Sequence, residues 1–191
     1  MAKRGAQPAA IAMVVAALVP GPRAFAAPAE VATLVLHLVD YQHVASADLA
    51  YAQKEASKVF ANIGVRLVWA DGFALGAASD GHRHFDVVIL NTEMTERRHA
   101  VDRVFGEASS ETHRAFIYYG RVLSHALETT SDPRLALGLV LAHEVGHMVL
   151  PGEGHSETGL MRATWFGRLA SIPDFLPEQA AIIRAQLAGS K

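Results

Sequence analysis

His143-Glu144-Val145-Gly146-His147, followed by Gly152-Glu153-Gly154-His155 and then Gly159-Leu160-Met161, is the stretch that decides how this 191-residue chain is read. On a helix, residues four apart lie one turn apart on a single face, so His143 and His147 offer two imidazoles side by side. The carboxylate of Glu144, next to the first imidazole, can reach a water held by a cation without itself occupying the cation. A hydrolytic zinc site needs three protein ligands and one position left open for water. His155, brought back by the turn at 150–154, is the candidate third ligand. With no cysteine anywhere in the chain, His, Asp and Glu are the only strong zinc ligands it owns. The stretch therefore predicts one catalytic zinc ion, with Glu144 as the catalytic base.

Working outward, the residues before the motif strengthen this reading. From Leu135 to Val149 nearly every position is apolar except His143, Glu144 and His147. A helix that is hydrophobic all round is a buried helix. Three polar groups buried in it without partners or a metal would cost several kcal/mol. Asp132-Pro133 supplies a capping side chain and a proline at the first helical position, and Leu150-Pro151-Gly152 ends the helix.

Upstream, Val31–Val39 is a β-branched apolar run that predicts a buried strand. Ser46 is placed to cap a helix whose apolar positions run from Leu49 to Ile63 at helical spacing, with Gly64 as its stop. Val65–Trp69, Phe85–Leu90 and Ala115–Tyr119 read as further strands, and Val101–Ala108 as a short edge strand ending near Gly106. Pro177 opens a closing helix. The pattern is one α/β domain with the motif helix through its middle, and no internal repeat or linker divides it.

The amino-terminal stretch stands apart from the fold. Lys3 and Arg4 precede an apolar run from Ala9 to Val19, then Pro20-Gly21-Pro22, then the small-residue pattern Ala24-Phe25-Ala26. That order is the order of a secretory signal peptide, here residues 1–26, leaving 27–191 as the mature domain. The apolar run is about half the ~20 residues a spanning helix requires, so no stable membrane anchor is expected after cleavage. The protein is expected to be exported, to a periplasm or the extracellular space. With 17 basic against 19 acidic residues, the chain has no basic excess for a nucleic-acid partner.

The motif also resembles that of the metzincin clan of zinc endopeptidases, most closely its matrixin-like members. Their pattern is HExxHxxGxxH followed by a methionine turn. His143, Glu144, Gly146 and His147 match its first half, Gly154 and His155 lie in its G-x-x-H half with Gly152, Ser156 follows as in matrixins, and Gly159-Leu160-Met161 resembles the Met-turn. The resemblance implies a zincin-like α/β domain. Its parts would be a twisted, mainly parallel sheet of four to five strands, an active-site helix, the Met-turn and a carboxy-terminal helix. It also implies structural support from Gly146 and Met161, a peptide or protein substrate, and a substrate groove along Val101–Ala108. The departure is two extra residues, Leu150 and Pro151, which put Glu153 at the family's usual third-ligand position. Because the G-x-x-H unit, Ser156 and the Met-turn keep step with one another, His155 is favoured as third ligand, and Glu153 is the alternative.

Other candidates divide between chemistry and packing. Trp165 and Phe166, just beyond the Met-turn, can wall the pocket for the residue after the scissile bond, or serve the core. Tyr118 and Tyr119 can stabilise an oxyanion, although their strand context favours packing. His82-Arg83-His84 reads as a solvated loop pair without a matched carboxylate, and His37, His43, His99, His113 and His125 have no partner spacing. The function expected is a secreted zinc-dependent endopeptidase using a Glu-activated, zinc-bound water. The alternatives are a catalytically silent zinc-binding module and a zinc hydrolase of a non-peptide amide.

Overall fold

Alternation in the first strand sets the architecture. In β1 (Ala32–Asp40), Leu34, Leu36 and Leu38 are buried on one face, while Val35, His37 and Val39 point to the other. The computed structural model describes residues 32–74, 80–98, 104–152, 154–165 and 167–188. The proposed signal segment 1–26, residues 101–103, Glu153 and Phe166 lie outside the described residues.

After β1 the chain forms α1 (Ser46–Asn62) and returns as β2 (Val65–Asp71). The helix buries Ala52, Ala56, Val59 and Phe60, the helical stripe the sequence predicts. Gly64 takes φ 76° directly after it, a conformation that suits glycine because it lacks a Cβ. The expected Ser46 cap is corrected: Ser46 is the first helical residue, and Ala45 precedes it without a side-chain cap. Asp40 organises the entry, its carboxylate accepting from the Gln42 N–H at 2.9 Å and the Val44 N–H at 2.7 Å. Those amides belong to the turn before α1, so Asp40 shapes the approach to the helix and does not cap it.

β3 (Arg83–Leu90) leads into α2 (Thr92–Arg97), then β4 (Gly106–Ser109), β5 (Arg114–Tyr118) and α3 (Tyr119–Glu128). The edge strand begins at Gly106, where the sequence reading had it end, and Tyr119 opens a helix in place of closing a strand. The five strands lie in the order β2-β1-β3-β5-β4. Four are parallel, and β4 alone runs antiparallel, pairing with β5. The mixed α/β fold with a mainly parallel five-stranded sheet is thus the one expected.

Helix α4 (Pro133–Val149) starts as predicted, with the Asp132 side chain accepting from the Arg134 N–H at 2.9 Å and Pro133 in the first turn. From Leu135 onward every residue is buried except His147. It packs against α1, α3 and the β4–β5 end of the sheet. The closing helix α5 (Pro177–Ala188) buries Gln179, Ala180 and Ile183. No described helix is long and apolar enough to cross a membrane.

The sheet face away from α4 carries a packed tyrosine and one correction. Tyr118 is fully buried there with Val88 and Leu90, and burial pushes its phenol up to about 12, which suits packing and not proton transfer. His84 is not an unpaired loop histidine. Its Nε2 lies 3.0 Å from Asp80 Oδ1 and its Nδ1 2.9 Å from His37 Nε2. These partners are far apart in sequence or in an irregular turn, so spacing alone did not reveal them.

Candidate metal centre

Because α4 is buried on all sides, its polar residues can only face the gap between the helix and the edge of the sheet. His143 and Glu144 are each 5% exposed and His147 is half-buried, while His155 reaches the same gap from the turn beyond the helix. The Nε2 atoms of His143 and His147 are 3.0 Å apart, and those of His147 and His155 are 3.2 Å apart. Each of the three residues offers one nitrogen within 4.8 Å of the others, the sole such grouping among the described residues.

This donor set fits zinc. Tetrahedral coordination at Zn–N ≈ 2.0–2.1 Å separates ligand nitrogens by roughly 3.3 Å, close to the spacing found here. The first ligand is also oriented from behind: His143 Nδ1–H donates to the Leu160 carbonyl at 2.9 Å, which leaves the Nε2 lone pair facing the gap. Burial drives the His143 imidazole down to about 3, against the opposing pull of that hydrogen bond, and His147 and His155 lower it further. The ring is therefore neutral and able to bind a cation without first losing a proton.

The segment that delivers His155 is shaped by glycines and held from two sides. Gly152 and Gly154 take φ 69° and 66°, the left-handed region that a two-residue extension of the turn exploits. Ser156 N–H donates to the Met161 carbonyl at 2.9 Å, and Leu160 N–H donates to the Asp174 carbonyl at 2.9 Å. Gln179 of α5 donates to Ser156 Oγ at 3.2 Å and the Gly154 carbonyl at 3.4 Å, bracketing His155. No motif pointed to Gln179; a buried glutamine on an otherwise apolar helical face was the only signal it gave.

Met161 is fully buried beneath the helix at Gly146. A Cβ on Gly146 would stand 2.5 Å from Met161 Sδ and 3.1 Å from the Phe175 ring, so only glycine lets the thioether seat there. Met161 and Gly146 are thus packed against one another beneath the histidine-bearing turn of α4.

Glu144 meets the edge strand. A Cβ on Gly106, the first residue of β4, would lie 2.7 Å from Glu144 Oε1 and 2.7 Å from its Cγ. The carboxylate is thus laid against bare backbone. Burial, and secondarily the carboxylate of Glu107, push it up to about 8. Gly106 is a site residue that sequence reasoning used only as a strand boundary.

Trp165 stands edge-on to His143, with ring centroids 4.8 Å apart, and is stacked with Phe105 at 6.2 Å. An open cleft of about 670 Å³ is lined by β4, the three histidines, Glu144 and Trp165. Trp165 is thus among the residues that line the cleft beside the histidines.

Neither a protein-family model nor a curated protein matches this sequence. Among solved structures, the fold is similar to the crystal structure of a zinc-dependent peptidase from Methanocorpusculum labreanum, at 15% sequence identity. That likeness covers 80% of this chain and 99% of the other, with a TM-score of 0.45.

Proposed function

We propose that this chain is an exported zinc-dependent endopeptidase of the metzincin type, with one zinc ion held by His143, His147 and His155. The observation that carries the reading is the convergence of three imidazole Nε2 atoms beside a buried carboxylate, in a cleft open to an unpaired strand edge. A silent binding module needs the histidines but not Glu144, and retention of a buried carboxylate with no ion pair costs stability unless it is used.

The chemistry divides simply. Held by His143, His147 and His155, a zinc ion would supply Lewis acidity toward the scissile carbonyl and toward water near neutral pH. Glu144 takes the proton from the attacking water and returns it to the leaving nitrogen, help worth typically ~10²–10⁴-fold. Gly106 leaves the space in which that carboxylate sits. Among the described residues β4 pairs with β5 on one side only, so its outer edge offers backbone groups to an extended peptide, the mode by which a strand is added to a sheet. A substrate bound in this way passes over the histidines without needing a free terminus, which is why an endopeptidase is preferred. Trp165 walls the position of the residue following the scissile bond.

The deciding experiment is incubation of the purified protein with a mixed peptide library, with and without chelator, alongside the Glu144→Gln variant and a metal analysis of both. The expected result is one zinc per chain in both proteins, with chelator-sensitive internal cleavage by the unsubstituted protein alone. Zinc without cleavage would establish the silent module, and turnover of small amides alone would establish a non-peptide hydrolase. Export is checked by sequencing the amino terminus of the mature protein, expected at Ala27.

A further inference from the structure

β4 is an edge strand of four residues, paired with β5 on one side among the described residues, yet Glu144 is laid against its first residue. Two arginines from different helices hold this segment. Arg98, at the carboxy-terminal cap of α2, donates from Nη2 to Glu107 Oε2 at 3.2 Å, and its guanidinium carbon stands 3.7 Å from the centroid of the Phe116 ring. Arg121, in α3, donates from Nη1 to the Val104 carbonyl at 3.0 Å, and its guanidinium carbon stands 5.1 Å from the centroid of the Tyr118 ring. The two share one plan. Each seats a guanidinium against an aromatic ring of β5 and ties that ring to an oxygen of the β4 segment. Phe116 and Tyr118 lie two apart on the sheet face away from α4, and Glu107 is the direct cross-strand partner of Phe116. Gly106 lies between the two tied residues, and its bare side faces Glu144.

We propose that Arg98 and Arg121 are positioning residues, which pin β4 to β5 and so set the register of an extended peptide along β4 against Glu144. This rests on the peptidase reading and deepens it. A peptide added to a strand gains its backbone hydrogen bonds only where that strand is held still. A shift of β4 would loosen those bonds and carry the scissile bond away from the carboxylate beside Gly106. Arginine suits the task because a planar guanidinium can stack on a ring and donate in its own plane to an oxygen, which an ammonium cannot do. The Arg98 and Glu107 side chains are 38% and 42% exposed, so each contact contributes modestly and the effect is several-fold in size.

The test compares one scissile sequence placed in an octapeptide, long enough to lie along β4, and in a blocked dipeptide too short to do so. The readout is the long-over-short ratio of kcat/KM, with zinc content measured beside it. Arg98→Leu and Arg98→Lys should each lower the ratio by roughly three- to fivefold, through the KM of the octapeptide, at unchanged zinc content. Arg98→Leu/Arg121→Leu should lower it further. The swap Arg98→Glu/Glu107→Arg puts a guanidinium opposite Phe116 again and should bring the ratio back above that of Arg98→Glu alone. An unchanged ratio in the double leucine variant overturns the positioning role. So does an equal loss on both substrates, which marks a merely structural contact, or a swap no better than Arg98→Glu. If the unsubstituted protein cleaves neither substrate, calorimetric binding of the octapeptide to the zinc-loaded protein decides. Binding weakened by Arg98→Leu supports the two arginines' role and overturns the peptidase reading; binding that is absent or unaffected overturns both.

Discussion

At the scale of single residues, the site depends as much on what is missing as on what is present. Gly106 has no side chain, and Glu144 occupies the space. Gly106→Ala forces the carboxylate to move, because a contact of 2.7 Å is shorter than real Cβ atoms tolerate. The expected outcome is full zinc content with kcat lowered by about 10–100-fold, as a misplacement near 1 Å costs. Paired metal analysis and steady-state kinetics check it; loss of zinc in step with activity would assign Gly106 to folding instead. The two shifted groups also make a prediction for the metal-free protein. His143 falls from 6.5 to about 3, so below 6.5 the unfolded chain binds the extra proton and stability declines as pH falls. Glu144 rises from 4.5 to about 8, so between those values the folded chain holds the extra proton and stability declines as pH rises. Denaturant unfolding of the metal-free Glu144→Gln variant should lose the alkaline decline, an effect on the order of a few kcal/mol, and keep the acidic one. An unchanged alkaline arm in that variant would show that Glu144 does not carry it.

Elements differ in how plainly their sequences announce them. α4 is legible because an apolar helix tolerates polar residues only for a reason, so His143, Glu144 and His147 stand out against their neighbours. β1, β2, β3 and α1 are legible for the ordinary reason that their apolar periods are unmixed. α2 is six mostly polar residues whose start is fixed by the Asn91 side chain accepting from the Met94 N–H at 2.9 Å, too short for any period to register. α3 begins at Tyr119 within an apolar run that reads as one strand, and only the burial of Val122 and Ala126 separates the two. The return of His155 is legible as a motif, but its support is not, because Gln179 acts from a helix outside the motif. Gln179→Leu keeps the bulk and removes the bonds to Gly154 and Ser156. It should weaken zinc binding by roughly 10-fold, toward the lower end for loss of a supporting partner, as read by competition with a coloured chelator. Unaltered zinc affinity would mean the turn holds His155 unaided.

The whole molecule sets a parallel sheet with a single antiparallel edge strand over one buried helix, and the histidines and Glu144 lie where the two meet. That placement explains why fold class could be read early while the site's inner geometry could not. Strand and helix types follow from local pattern, whereas the Gly106–Glu144 contact and the edge-on His143–Trp165 contact join residues distant in the chain. The same long-range character gives the Leu160 peptide group a further meaning. Its carbonyl accepts from His143, and its N–H donates to Asp174, with Gln179 securing the turn a few residues later. Asp174 and Gln179 both follow all three histidines in the chain, so during biosynthesis they leave the ribosome last. An emerging polypeptide possesses the imidazoles before it possesses the means to aim them. The full aim of the three imidazoles is thereby completed only once the chain carrying Asp174 and Gln179 has folded back onto the turn.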